Sequence, residues 1–155
     1  MDYTVVEYMQ GYLVNLKAIK MWMHSAHHVA KGKGFLSDHN DLYGKIYTQL
    51  EDHFDVLVEK TIGLTGQEEI ACPVILSEGA AHTLKSHYSS PVNKSSEEIV
   101  GDGIVYVANL INSLSSLYEH VKSSGHMTLG MEDSLTSMAN EYENYLYFLG
   151  QRYKE

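Results

Sequence analysis

Apolar residues recur at helical spacing along four long stretches of this chain. In the first stretch, from about Tyr3 to Ala30, steps of three and four positions separate Met9, Tyr12, Leu16, Ile19, Met23 and Ala26. This spacing places all of them on one face of a helix. Lys31-Gly32 is predicted to end the helix, because glycine readily adopts the left-handed conformation found after helix C-termini.

A second helix is predicted to begin at Ser37, whose hydroxyl suits an N-cap, with Asp38 in its first turn. It is expected to end around Gly63 and Gly66. One of its faces carries Leu42, Ile46, Leu50, Phe54, Leu57 and Thr61. Because only a short loop separates the first two helices, an antiparallel hairpin is expected.

Residues 64 to 94 have a different pattern, with small and polar residues and the two prolines of the chain, Pro73 and Pro91. We interpret this stretch as a long crossover connection with room for one short helix. Such a connection is typical of bundles in which the helices on either side of it run parallel.

Two further helices follow the crossover. Ser95 and Glu98 form a capping box before the third helix, Ser124-Gly125 ends it, and the fourth helix is expected to end near Gly150. The apolar positions of the third helix are Ile99, Ile104, Val107, Leu110, Ile111, Leu114, Leu117 and Val121. Those of the fourth helix are Met131, Leu135, Met138, Tyr142, Tyr145 and Leu149. The sequence therefore predicts an all-α, ferritin-like four-helix bundle as a single domain over residues 1–155.

The composition narrows the class of protein. With a formal net charge of −9, the 155-residue chain repels nucleic-acid phosphates, so we expect no strong DNA binding at physiological salt. The single cysteine, Cys72, excludes an internal disulfide and fits a reducing compartment. No apolar run has membrane-spanning length and the N-terminal stretch does not resemble a signal peptide. A cytoplasmic protein without a membrane partner is therefore expected.

Four histidines surround the basic turn at residues 31–34: His24, His27, His28 and His39. Pairs three or four positions apart on a helix can chelate a metal. The alternative is a surface patch, because protonated histidine interacts favourably with a helix C-terminus.

Asp55 and Glu59 project from one face of the second helix, roughly opposite its apolar face. They are either a solvated acidic face or a face that meets the histidines of another subunit. The Glu-x-x-His pairs typical of a di-iron centre inside a bundle do not occur in the corresponding places.

These segments together resemble the core motif of the Dps proteins, the mini-ferritins. That pattern runs His-Trp-x-x-x-Gly-x-x-Phe-x-x-x-His and then Asp-x-x-Ala-Glu-Arg. Here the matching positions are His27, Gly32, Phe35, His39, Asp55 and Glu59, with Val58 and Lys60 in place of the alanine and arginine. The similarity continues through "CPVILSEGAAHTLKSHYSS" in the crossover and "MEDSLTSMANEYENYLYFLGQR" in the last helix, so that it covers nearly the whole chain.

The resemblance implies a homododecameric, hollow shell that oxidises ferrous iron with hydrogen peroxide or oxygen and stores the ferric mineral. In such a ferroxidase the centres lie at two-fold interfaces. By this resemblance His27 and His39 of one subunit would face Asp55 and Glu59 of its partner. Zinc could occupy the same site. Some members bind DNA through a lysine-rich tail; neither end of this sequence is rich in lysine, so DNA binding of that kind is not expected.

The chain also departs from the family pattern. His28 stands at the position of the tryptophan and becomes a candidate additional ligand. The segment from His39 to Asp55 is one residue longer than usual, which on a continuous α-helix would rotate His39 by about 100° relative to Asp55. Tyr43 occupies the place of a second acidic ligand, for which Asp41 could substitute after a shift in register.

Glu132 and Asp133, at the start of the fourth helix, are candidates for the acidic residues that line the three-fold pores of such shells. They are equally typical of acids placed by the helix dipole. The departures from the pattern also leave a second hypothesis for the whole protein, a Dps-like shell or interaction protein with an altered or inactive metal centre.

Overall fold

Five α-helices make up most of the chain. The computed structural model describes residues 3–154, and among these it contains helices but no strand. The helices are α1 (Tyr3–Val29), α2 (Lys45–Thr65), α3 (Pro73–His87), α4 (Ser96–Ser123) and α5 (Leu129–Tyr153). A π-helical segment, Ser37–Gly44, leads directly into α2, and a 3₁₀ turn, Glu68–Ala71, precedes α3. The predicted all-α, ferritin-like bundle is confirmed, with α3 as the helix of the crossover.

The apolar faces predicted from the sequence form the core between α1, α2, α4 and α5. All six predicted positions on α1 and all six on α5 are buried. On α4 the predicted face is buried except at Ile104 and Ile111, which are partly buried against the core. Burial of these faces removes apolar surface from water, which is the main force that holds a bundle together. No helix within residues 3–154 is both long and apolar enough to span a membrane.

The crossover helix α3 is longer than predicted and packs against α1. Pro73 occupies its first turn, where a missing backbone N–H costs nothing. A Cβ atom at Gly79 would lie 2.8 Å from the side chain of Val14, so glycine permits the close approach of the two helices. After α3 the chain is fixed by Trp22, whose indole donates to the carbonyl of Ser89 at 2.8 Å.

The predicted helix ends are confirmed at some positions and wrong at others. Ser95 caps α4, accepting from the backbone N–H of Glu98 at 3.2 Å, as the capping box predicts. Gly32 has a φ of +84°, as expected for the turn after α1. The predicted end of the last helix at Gly150 is wrong, because α5 continues to Tyr153.

The predicted N-cap at Ser37 is also wrong. The backbone is already helical at Leu36, with φ −62° and ψ −45°, so Ser37 lies inside the helical segment. The carboxylate of Asp38 is buried and pairs with Arg152 on α5, so it is not a solvated acid in a first turn. The last turn of α5 is thereby joined to the beginning of the π segment.

Candidate metal centre

Two of the predicted ligands, His27 and His39, lie face to face. Their imidazole rings are stacked, with centroids 3.7 Å apart and 17° between the planes. His27 is in the last turn of α1 and His39 is in the π segment, so the helix hairpin brings the two side chains together. Both are half-buried. The turn between the helices therefore brings two of the candidate ligands together, and their binding of a metal stays a prediction.

Each of these rings forms a hydrogen bond to the backbone of the other residue. Nδ1 of His27 lies 2.5 Å from the carbonyl oxygen of His39, and Nδ1 of His39 lies 2.7 Å from the carbonyl oxygen of His27. A carbonyl oxygen can only accept, so both Nδ1 atoms must carry the proton. In the neutral rings, Nε2 then holds the lone pair with which histidine binds metals. This is the arrangement in which a backbone carbonyl orients a metal-binding histidine.

The π segment accounts for the additional residue between His39 and Asp55. A π turn closes i to i+5 hydrogen bonds and contains one more residue than an α turn. The extra residue is therefore accommodated within Ser37–Gly44, before α2 begins. The predicted rotation of His39 relative to Asp55 assumed a continuous α-helix, and the π segment shows that this assumption is wrong. Such π segments occur frequently at functional sites.

Gly44, the last residue of the π segment, lies directly beside the histidine pair. A Cβ atom at this position would be 2.5 Å from the carbonyl oxygen of His39 and 3.0 Å from Nδ1 of His27. The first of these contacts is to backbone, which cannot move aside as a flexible side chain can. Glycine is therefore required here by the close packing, since its backbone conformation is ordinary helix.

The π segment is held from the other side by Asp38 and Arg152. Nε of Arg152 donates to one carboxylate oxygen of Asp38 at 3.0 Å, and Nη2 donates to the other at 3.1 Å. The Asp38 side chain is 4% exposed and that of Arg152 is 16% exposed. A bidentate pair of this kind has a defined geometry as well as favourable energy. Arg152, at the end of α5, thereby fixes the position of Asp38, which is the residue next to His39.

Tyr43 cannot replace the acidic ligand that this position carries in the family pattern. The side chain is 1% exposed, and its hydroxyl has no hydrogen-bond partner within residues 3–154. Burial raises the pKa of the phenol, and the nearby charge of Asp38 raises it further. A neutral, enclosed phenol provides no anionic oxygen for a metal.

The other candidate residues for the iron centre are all exposed. Asp55 and Glu59 are exposed on α2, and His28 is exposed with its ring centroid 5.4 Å from that of His27. Asp41 is also exposed. Among residues 3–154, no three His, Cys, Asp or Glu side chains converge closely enough to hold a metal ion. The assignment of these residues to one metal centre therefore stays a prediction.

His24 and the pore candidates have local roles. The ring of His24 stacks on Tyr47 at 4.1 Å, and burial, together with nearby positive groups, lowers its pKa. Glu132 accepts a hydrogen bond from the hydroxyl of Tyr118 at 2.8 Å. These contacts neither require nor exclude a pore, and the assignment of Glu132 and Asp133 stays a prediction.

Comparison with solved structures identifies this architecture. Dps from Staphylococcus aureus superposes with a TM-score of 0.80 at 19% identity, over 98% of this chain and 96% of that one. Antigen TpF1 from Treponema pallidum gives 0.79 at 17% identity, over 99% and 93% of the two chains. The chain has the Dps fold. The Dps protein from Vibrio cholerae O1 gives 0.72 at 18% identity, over 96% and 88%, and is described as a ferritin-like diiron-carboxylate protein.

The sequence itself is distant from known families. No protein-family model matches it, and no curated protein is similar enough to be recognised as a relative. At sequence identities of 17 to 19%, structural similarity to Dps proteins establishes the fold and nothing more. The resemblance predicted from the sequence motifs is therefore confirmed for the fold. The chemistry of the site has to be argued from the residues of this chain.

Proposed function

We propose that this protein is a Dps-type mini-ferritin, a ferroxidase that oxidises ferrous iron at centres shared between two subunits. The observation that carries the proposal is the stacked pair of His27 and His39, whose Nδ1 protons are held by backbone carbonyls. Two imidazoles with oriented Nε2 atoms are ready to bind a divalent ion before it arrives. Binding then requires little rearrangement of the protein.

The pair needs oxygen ligands, and α2 carries two exposed carboxylates. Asp55 and Glu59 are exposed one turn apart and project in similar directions. In a two-fold dimer, if the histidine patch of one subunit contacts the carboxylate patch of its partner, the reverse contact forms as well. A centre with histidines from one subunit and carboxylates from its partner would combine both ligand types that suit ferrous iron. His28 and Asp41 stay candidates for additional contacts to the ion.

In the proposed reaction, two ferrous ions each give one electron to hydrogen peroxide, which takes up two protons and becomes two water molecules. Dioxygen is the alternative oxidant. The ferric product would be stored as mineral inside a dodecameric shell, and zinc would compete with ferrous iron for the same ligands. The burial of Tyr43 removes one oxygen ligand relative to the family pattern. This favours an altered or inactive centre as the second hypothesis.

A subunit-mixing experiment tests the shared centre directly. One variant, His27→Asn with His39→Asn, removes both Nε2 atoms but keeps an amide N–H near the place of each Nδ1 donor. The second variant, Asp55→Asn with Glu59→Gln, removes the carboxylates. Each variant alone should oxidise iron no faster than buffer. In a mixed two-fold dimer one of the two centres is intact, so random one-to-one mixing should restore about a quarter of the wild-type rate.

The outcomes separate the hypotheses. Restored oxidation in the mixture supports shared centres, whereas no restoration in mixed shells of wild-type size shows that the histidines and carboxylates do not act together. Wild-type protein that assembles into a large shell but oxidises ferrous iron no faster than buffer would show that the centre is inactive. Light scattering after size-exclusion chromatography verifies that every sample has the same assembly.

A further inference from the structure

A chain of phenols and one imidazole crosses the interior of the bundle, apart from the histidine pair. The hydroxyl of Tyr142, which is fully buried, lies 3.0 Å from Nδ1 of His53 and 3.4 Å from the hydroxyl of Tyr12. The ring of Tyr145 is 5.8 Å from that of Tyr142, centroid to centroid. Three helices, α1, α2 and α5, thus contribute aromatic side chains to one connected group.

This group reaches the surface through His53. The imidazole is half-buried and lines an open pocket of about 410 Å³ between α2 and α5, with Gln49, Asp52 and Glu141. The hydroxyl of Tyr145 forms a hydrogen bond with the side-chain oxygen of Gln49, at the same pocket. Tyr142 therefore lies inside the bundle while its hydrogen-bond partner lies at the rim of a solvent-filled pocket.

A phenol beside a base has a specific redox chemistry. When a neutral phenol loses an electron, its proton becomes strongly acidic and has to leave at the same time. An imidazole with its ordinary pKa of about 6.5 is largely neutral at pH 7 and can take that proton. With its own proton on Nε2, the ring presents the Nδ1 lone pair to the phenol O–H. The geometry of His53 and Tyr142 meets this requirement.

We propose that Tyr142 is a redox-active tyrosine that gives one electron to a strong one-electron oxidant, the hydroxyl radical, while its phenolic proton moves to Nδ1 of His53. The phenol O–H bond breaks, an N–H bond forms on the imidazole, and the hydroxyl radical becomes hydroxide. A tyrosyl radical is left in the bundle interior. A ferrous ion then returns the electron and becomes ferric, and the proton returns from His53 to the phenol oxygen.

The net reaction consumes one hydroxyl radical and one ferrous ion and yields hydroxide and ferric ion. This activity rests on the proposed ferroxidase function for its source of ferrous iron. The hydroxyl radical itself comes from one-electron reduction of peroxide by a single ferrous ion, a side reaction of the two-electron oxidation proposed for the shared centre. The chemistry of Tyr142 within the protein does not depend on the metal centre, which allows the two to be tested separately.

The first experiment omits iron. Metal-free protein is oxidised by photogenerated ruthenium(III) tris-bipyridine, and tyrosyl radicals are followed by electron paramagnetic resonance after freezing at increasing times. Radicals on exposed tyrosines decay by coupling to one another, whereas a radical on the buried Tyr142 should persist. Tyr142→Phe should lose the long-lived signal. Tyr147→Phe is the matched control on the same helix, 63% exposed, and should keep it.

A second variant tests the role of the imidazole. His53→Gln keeps a hydrogen-bonding side chain but removes the base, and should slow formation of the long-lived radical about tenfold or more. It should also abolish the solvent deuterium isotope effect on that rate. Because His53 is half-exposed, this variant keeps the test valid if Tyr142→Phe fails to assemble.

The result that would overturn the proposal is a long-lived radical of wild-type yield in Tyr142→Phe, or an unchanged rate and isotope effect in His53→Gln. A parallel sample mixed with ferrous iron and hydrogen peroxide tests the source of the oxidant. A radical that forms with ruthenium but not with iron and peroxide would overturn the hydroxyl radical as the oxidant of Tyr142, and ferrous oxidation in that same sample would leave the proposed ferroxidase function intact.

Discussion

His27 and His39 each donate a hydrogen bond from Nδ1 to the backbone carbonyl of the other, at 2.5 and 2.7 Å. The carbonyl of His27 belongs to the last turn of α1, where carbonyl groups lack partners within the helix. The same two side chains that are proposed to bind iron therefore also close the end of α1 onto the π segment. Substitutions at His27 and His39 therefore have to distinguish loss of this helix-end contact from loss of the proposed metal ligand.

Asparagine separates the two roles at His39. Its side-chain amide nitrogen can take the place of Nδ1 as a donor, but it has nothing at the position of Nε2. We expect His39→Ala to lower the free energy of unfolding by about 1 kcal/mol through the lost hydrogen bond, and His39→Asn to recover most of this loss. Both variants should lose ferrous oxidation. Chemical denaturation and an iron-oxidation assay check the two expectations, and full activity in His39→Asn would show that Nε2 is not a ligand.

Gly44 should be intolerant of any side chain. An alanine Cβ would lie 2.5 Å from the carbonyl oxygen of His39, so backbone at the histidine pair has to shift. We expect Gly44→Ala to cost about 2 kcal/mol of stability by overpacking, and to reduce ferrous oxidation together with zinc affinity. Zinc titration calorimetry measures the metal affinity of the site independently of turnover.

Gly63→Ala is the matched control for this substitution. Gly63 lies in the same helical stretch, and a Cβ there would have no neighbour within 4 Å. The change should stabilise the protein by about 0.5–1 kcal/mol through helix propensity and leave iron oxidation unchanged. Equal behaviour of the two alanine variants would show that the close contacts around Gly44 do not constrain the site.

The bundle could be predicted from sequence because its evidence is periodic. Buried positions on α1 and α5 recur every three or four residues, and a capping box at Ser95 marks a helix start. Helix ends were less predictable where tertiary contacts decide them. Ser37 looks like an N-cap, but Asp38 is drawn into the bundle by Arg152, 114 residues later in the chain.

The candidate site was predictable only in part for a related reason. The resemblance to the Dps motif, and not helical periodicity, pointed to His27 and His39, which the turn between two helices brings together. No local pattern indicates a π segment, and Gly44 looks like any glycine within a helix until the histidine ring beside it is seen. The proposed combination of Asp55 and Glu59 with the histidines would need a second subunit, which periodicity within one chain does not describe.

The pair between Asp38 and Arg152 should contribute far more than a surface ion pair. Asp38→Ala would remove two charge-assisted hydrogen bonds to a guanidinium whose side chain is 16% exposed, and we expect a loss of about 3 kcal/mol. Glu51→Ala removes the ion pair with Lys20, in which the Glu51 side chain is 57% exposed, and should cost under about 1 kcal/mol. Urea denaturation of the metal-free proteins compares the two.

Because Asp38 adjoins His39, Asp38→Ala should also weaken zinc binding, whereas Glu51→Ala should not. A stability loss of similar size in both variants would contradict the assignment of Asp38 as a buried anchor of the π segment. Wild-type zinc affinity in a destabilised but assembled Asp38→Ala protein would show that the anchor does not position the histidines.

The stability of the metal-free protein should fall on mild acidification because of His53. Burial lowers the pKa of its imidazole, and the opposing charges of Glu141 and Asp52 only partly offset this. Between the lowered folded pKa and the ordinary value near 6.5, the unfolded chain binds more protons than the folded one. The contribution of His53 is therefore fully present above the unfolded pKa and is lost as the pH falls towards the folded pKa.

His53→Gln removes the titrating group, so its free energy of unfolding should decrease less than that of the wild type between about pH 7.5 and about pH 5.5. His82→Gln, at an exposed position on α3, is the control for the loss of an imidazole and should follow the wild type. Urea titrations at a series of pH values give both slopes. An identical pH dependence in His53→Gln and wild type would mean that the His53 imidazole is as readily protonated in the folded bundle as in the unfolded chain.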